Sequence, residues 1–200
     1  MNERSIRITA SVGLVIGGLF GMMGSFIQTP SLRGLAWGID GVALILATAL
    51  LTFYYNRKGN DGVAAGFLCL AIGEGLILSS SGVNLDQDHS SFGAGVALWA
   101  ASLLVISFQK TFPLFVRITG FMAAILFSVT AVLLFTGNDV NGLTKPLPFF
   151  AYPIFVLTIF GWASTVLLSK EKNSFIAKNA RVKQGTQRNS QLNDMQLHNN

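Results

Sequence analysis

The sequence predicts an all-α fold, a polytopic bundle of six transmembrane helices. Of its 200 residues, 51% are apolar or aromatic and 21 are glycine, while charged residues make up only 12%, about half their usual share in soluble domains. Fourteen Lys and Arg with nine Asp and Glu are too few to coat a water-soluble chain of this length. Six apolar stretches recur, each close to the roughly 17 to 25 residues that a helix needs to cross the bilayer. They are continuous rather than alternating, which excludes a barrel and leaves helices that satisfy their own backbone.

The first stretch, 8–27, follows Arg4 and Arg7 and has no Ala-x-Ala site, so it is expected to stay as an anchor rather than be cleaved. It carries Gly13, Gly17, Gly21 and Ser25 at intervals of four, a small-residue stripe that lets another backbone approach closely. A sister helix is the expected partner, with a second copy of the chain as the alternative. Pro30 and Gly34 punctuate the chain before the second stretch, 35–55, which holds Asp40 on one face with Ala36, Ala43 and Ala47. After a polar break at 56–62, the third stretch, 63–80, contains Cys69 and places Glu74 between Gly73 and Gly75. The fourth, 92–108, follows a loop with Asp86, Asp88 and His89, three donors that are too few for a cation site and read as a solvated acidic loop.

Past Pro113, the fifth stretch, 118–136, opens as Arg117-Ile118-Thr119, echoing Arg7-Ile8-Thr9. A genuine repeat would make the first and third hairpins parallel. The sixth, 147–168, contains Pro153, which is expected to kink it. Tyr54, Tyr55, Trp37 and Tyr152 stand near the ends of their stretches as expected interface anchors, while Trp99 and Trp162 lie deeper, placed to line a cavity. Residues 169–200 form a polar basic tail, expected to be disordered.

Orientation follows from the basic residues. Arg4, Arg7, Arg57, Lys58, Lys110 and Arg117 fall on one side with the tail, whereas the other side holds only Arg33 and Lys145. Both termini are therefore expected in the cytoplasm of a plasma (inner) membrane protein. Retention of basic loops and contact with anionic lipid account for the positive charge, so nucleic acid is not an expected partner. The expected partners are the lipid bilayer, a membrane or cytoplasmic protein reached through the basic tail, and a second copy of the chain.

Most membrane chemistries lack their residues. One cysteine excludes thiol exchange within a monomer, and neither histidine, His89 or His198, falls inside a stretch to ligate haem. No zinc-protease, phosphate-loop or nucleophile-elbow motif occurs, and Ser79, Ser80 and Ser81 have no intramembrane histidine to act as their base. No cofactor is expected, and the chain reads as a non-enzyme.

Asp40 and Glu74 are the only acidic residues inside the stretches. Each costs about 2.5 to 3.5 kcal/mol on insertion scales, so it belongs in the bundle interior with a partner. Counting rises of 1.5 Å puts both about 8 to 9 Å below the outer boundary, where they are expected to share one polar pocket, with Arg33 as a counter-ion. Two neighbouring buried carboxyls suit a shared proton or a bound cation, or else serve as interhelical hydrogen-bonding groups. The leading functional expectation is a sensor, accessory or interaction subunit. The alternative is a small-solute or lipid-binding transporter with a proton-linked carboxylate pocket, and an intramembrane enzyme is third because no nucleophile or metal ligand stands nearby.

Ala43-Leu44-Ile45-Leu46-Ala47 through Asn60-Asp61-Gly62, Gly66-Phe67-Leu68 and Glu74-Gly75-Leu76-Ile77 together resemble the bacterial six-helix integral membrane family known as domain of unknown function 4386. The resemblance covers most of residues 6–168. It implies six helices, an arginine-led first helix matched by Arg7, an acidic residue followed by glycine matched by Glu74-Gly75, and a fifth helix opened after a proline, matched by residues 113–120. Asp40, the serine run and the Asn- and Gln-rich tail depart from its pattern. The resemblance implies a fold and carries no activity with it.

Overall fold

The computed structural model describes residues 2–81, 89–138 and 150–169. Asp86, Asp88, the His89 side chain, Lys145 and the tail from residue 170 lie outside the described residues. Among those described, all regular structure is helical: α1 (Glu3–Phe26), α2 (Pro30–Asn56), α3 (Asp61–Ser81), α4 (His89–Phe108), α5 (Leu114–Phe135) and α6 (Phe150–Ser169). Each is long and apolar enough to cross a membrane.

The ends of the helices show why several begin earlier than their apolar runs. Asn2 caps α1, its side chain accepting from the backbone N–H groups of Arg4 and Ser5, so the helix takes in the polar turn before Ile8. Pro30 starts α2 instead of separating it from α1, because a proline at the first helical position lacks only a donor that has no partner there anyway. Asn60 opens α3 by accepting from Val63 N–H.

Two glycines close helices. Gly59 and Gly137 have φ of 67° and 77°. At each, the residue after the glycine donates back to the sixth-last carbonyl, Asn60 to Tyr55 and Asn138 to Leu133, while the glycine itself donates to Asn56 or Leu134. This Schellman pairing needs a left-handed residue and satisfies carbonyls that the helix end leaves open.

Residues 27–29, 57–60 and 109–113 are the links between α1 and α2, α2 and α3, and α4 and α5. Such short links make neighbouring helices antiparallel. One end of the bundle thereby gathers Arg4, Arg7, Arg57, Lys58, Lys110 and Arg117. There Lys58 Nζ pairs with Glu3 at 3.1 Å, Asn60 Nδ2 donates to Thr111 Oγ1 at 2.6 Å, and Arg117 Nε donates to the Ser107 carbonyl at 2.8 Å near the end of α4. Burial pulls the Lys58 ammonium down, but hydrogen bonds to Tyr54 and Glu3 outweigh it and hold its pKa above the usual lysine value.

Residues of α6 contact all five other helices. Ser11 of α1 donates to the Ala163 carbonyl, Thr158 donates to Thr119 of α5, and Trp162 packs edge-on against Phe67 of α3 at 5.1 Å. Phe155 meets Trp99 of α4 at 5.0 Å, and Tyr152 meets Asp40 of α2. The crossing of α3 and α4 is tight. A Cβ added to Gly73 would lie 2.9 Å from the Gly95 carbonyl oxygen, and one added to Gly95 would lie 2.8 Å from that of Gly73, so backbone meets backbone where only glycine fits.

Hydroxyls within the spans mostly turn onto their own helix, as Thr48 does to Leu44 O and Ser128 to Ala124 O, which keeps them satisfied without water. The outward faces are apolar: Val42, Leu46 and Phe53 on α2 and Ile118, Ile125 and Val132 on α5 are exposed, the surface expected of helices bathed in lipid. Residues 166–169, the last described turn of α6, fall in a unit separate from the rest of the bundle.

Several sequence expectations change. Tyr54 and Tyr55 are buried, with Tyr55 stacked on Phe67 at 5.7 Å, and so are core residues rather than interface anchors. Trp99 and Trp162 also pack ring against ring. Pro153 stands in the first described turn of α6, which continues helical through it.

Candidate functional site

Two buried carboxyls come together in the spans where α1, α2, α3, α4 and α6 meet. Asp40 is 5% exposed and Glu74 3%, so both carboxyls are removed from lipid and solvent alike. Asp40 reaches its place because Ala36, Gly41, Leu44 and Ala47 bury the same side of α2. Against that side α1 presents Gly13, Gly17 and Gly21. A Cβ at Gly13 would sit 3.0 Å from that of Ala47, and one at Gly17 would sit 3.3 Å from Asp40 Oδ1. One at Gly21 would collide with both Asp40 Oδ2 and Tyr152 Oη. The glycines thus bring α1 over the carboxylate without covering it in methyl groups.

Ser25, the fourth member of that stripe, is half-buried and its hydroxyl donates to Gly21 O of its own helix. Gly24 takes the next contact instead, lying directly against the Trp37 ring. Gly18 turns toward α6, where a Cβ would meet Phe160 at 3.3 Å. The helix therefore packs on two neighbours through two glycine faces.

Tyr152 Oη donates to Asp40 Oδ2 at 2.8 Å. Arg33 does not pair with Asp40: its Cζ lies 5.6 Å from the centroid of the Trp37 ring, and the phenol of α6 is the partner that the guanidinium was expected to be. Seven positions separate Arg33 from Asp40, two turns of helix, which carries the arginine toward the end of α2.

Glu74 approaches from α3. A Cβ on Gly41, the neighbour of Asp40 in the chain, would lie 3.3 Å from Glu74 Oε1, and the two carboxyls interact electrostatically with each other and with the Tyr152 phenol. Of the glycines that flank Glu74, Gly73 makes the α4 crossing while Gly75 faces nothing within 4 Å. From α4 the indole of Trp99 interacts with the Glu74 side chain without closing a well-formed hydrogen bond, and Trp99 Nε1, Glu74 Oε2 and Asp40 Oδ1 are all buried without a partner. Trp99, Tyr152 and Phe155 form the aromatic wall, with centroids 5.0 to 6.2 Å apart.

The structure therefore brings together Asp40 and Glu74, adds Tyr152 and Trp99, and leaves Arg33 at a helix end. In the sequence Tyr152 has the signature of an interface anchor, a tyrosine near a span end. Depth was the available signal: it stands five residues into the sixth apolar stretch, as Asp40 stands five into the second. Chemically, two buried carboxyls with free lone pairs accept protons or cations, and the phenol and indole N–H supply donors to stabilise negative charge. Among the described residues, no group of three or more His, Cys, Asp or Glu side chains could hold a metal ion. No family model matches the chain, and no curated protein or solved structure matches it at a significant level.

Proposed function

We propose that the protein is a non-enzymatic multi-pass protein of the plasma membrane, with both termini cytoplasmic, whose state is set by what the Asp40 and Glu74 pair binds. It acts as a sensor or accessory subunit that passes this state to a protein partner. One observation carries the proposal: two acidic side chains on different helices are buried against each other within the bundle, with one oxygen of each unpaired. Intramembrane ionisable residues are costly and are kept mainly where they work. Among the described residues, the basic end of the bundle, holding six Lys and Arg side chains against Arg33 at the other, supports the orientation, and the Glu74-Gly75 pair and Pro113-led α5 support membership of the six-helix family that the sequence resembles.

The test is thermal unfolding of the full chain in lipid nanodiscs, followed across pH and in different salts. A midpoint that depends on either condition in the native chain, and no longer does in D40N and E74Q, supports a binding site. An unfolding midpoint that is the same in every condition makes the pair a packing element and removes the proposal. A transporter is the second reading, favoured because the pair is enclosed by five helices rather than open to lipid. It requires substrate flux into vesicles driven by an imposed proton gradient.

A further inference from the structure

The unpaired atoms of the site are of two kinds, and this restricts what binds there. Asp40 Oδ1 and Glu74 Oε2 seek a hydrogen or a cation, whereas Trp99 Nε1 carries a hydrogen and seeks an acceptor. A metal ion or an organic ammonium would satisfy the two oxygens and leave the indole N–H facing a positive charge. A proton with one water satisfies all three. The protonated carboxyl donates to the water, the water donates to the other carboxylate, and its remaining lone pair accepts from Trp99. Buried waters characteristically make about three such bonds.

We infer that the ligand of this site is a single proton, shared between Asp40 and Glu74 through a water that Trp99 holds. The inference rests on the reading of the pair as a binding site and names its ligand. Tyr152 completes the arrangement by donating to Asp40 Oδ2 at 2.8 Å, so the negative charge that remains on the pair meets one neutral donor directly and a second, Trp99, through the water. Other titratable groups are not aimed at it among the described residues: α1 presents Gly17 and Gly21, α4 presents Trp99 and α6 presents Tyr152. From α5 the nearest neighbour of the aromatic wall is Phe127, 5.2 Å from Trp99. Arg33 is engaged over Trp37. With no fixed positive charge at the site, the pair keeps one proton of its own.

Infrared titration of the full chain in vesicles reads this directly through the carboxyl C=O band. The expected result is loss of one protonated carboxyl per chain as pH rises, unchanged at fixed pH by sodium, potassium or ethylammonium chloride. W99F and Y152F, which keep both carboxyls, should release that proton at higher pH than the native chain, because Y152F removes a donor to the anion and W99F removes the donor that polarises the bridging water toward it. Loss of the band on adding any of the three cations at fixed pH would overturn the proton assignment while leaving a binding site in place. A titration unchanged in W99F would overturn the water link. A band that neither pH nor any cation alters would remove the inference and the proposed function together. The two conservative variants keep the test decisive where D40N or E74Q fails to fold.

Discussion

Tyr152 and Gly21 are the two positions at which single atoms decide the site. Removing the phenol oxygen in Y152F strips Asp40 Oδ2 of its donor and leaves a buried acceptor open. Interhelical hydrogen bonds in membranes are worth on average about 0.6 kcal/mol and reach about 1.7, and the burial of Asp40 argues for the upper part of that range. A loss of about 1 kcal/mol is expected by reversible unfolding in mixed micelles. The D40A/Y152F double mutant should lose less than the sum of the singles, since both remove the same bond. Gly21→Ala drives a methyl group into the Asp40 and Tyr152 contact; overpacking of this kind costs about 1–3 kcal/mol. Gly34→Ala, where nothing stands within 4 Å, should be neutral or slightly stabilising, and an equal loss from both substitutions would refute the assignment of Gly21 to the site.

At the scale of helices, the α3/α4 crossing is the most sequence-restricted contact. Neither Gly73 nor Gly95 can gain a side chain by rotamer adjustment, because the obstacle on each side includes a carbonyl oxygen. Gly73→Ala and Gly95→Ala should each lower thermal stability by more than Gly75→Ala, whose added methyl meets nothing. Equal melting temperatures for the three would refute the crossing. Since Glu74 follows Gly73 directly, the two damaging variants should also disturb the carboxyl titration, which links the packing of α3 to the chemistry it carries. The end of α2 offers a separate comparison: Gly59→Ala forces a β-carbon into left-handed backbone and should cost about 1 kcal/mol.

For the whole molecule, the basic end is both an electrostatic and a topological feature. Tags at the two termini, probed in intact cells and in inverted vesicles, should be reached only from the cytoplasmic side; labelling of either from outside would overturn the orientation. The Lys58 and Glu3 pair at that end is 39% and 63% exposed and belongs with surface pairs, worth about 0–1 kcal/mol and weakened by salt. Because the folded-state pKa of Lys58 lies above its ordinary value of 10.5, its contribution is fully present at neutral pH. It is lost only as pH rises past that ordinary value and through the raised one. In E3Q the unfolding midpoint should match that of the native chain at strongly alkaline pH and fall at most slightly below it at pH 7.

Six spans, their approximate limits, the gathering of arginine and lysine at one end and the unusual cost of Asp40 and Glu74 were legible in the sequence, because each depends on local composition and on rise along a helix. Even the nearness of the two carboxyls followed from counting turns. Helix starts were less legible, since Pro30 ends one kind of segment and begins another, and only the chain that follows it distinguishes the two. The partners of the carboxyls depended on tertiary structure. Rotation of α1, α4 and α6 about their own axes decides that Gly21 rather than a lipid tail faces Asp40, that Tyr152 points inward to donate, and that Arg33 lies over Trp37. An apolar helix buries side chains all round or shows them to lipid at nearly the same cost, so its sequence alone leaves that rotation open. Glycine contacts between backbones fix it.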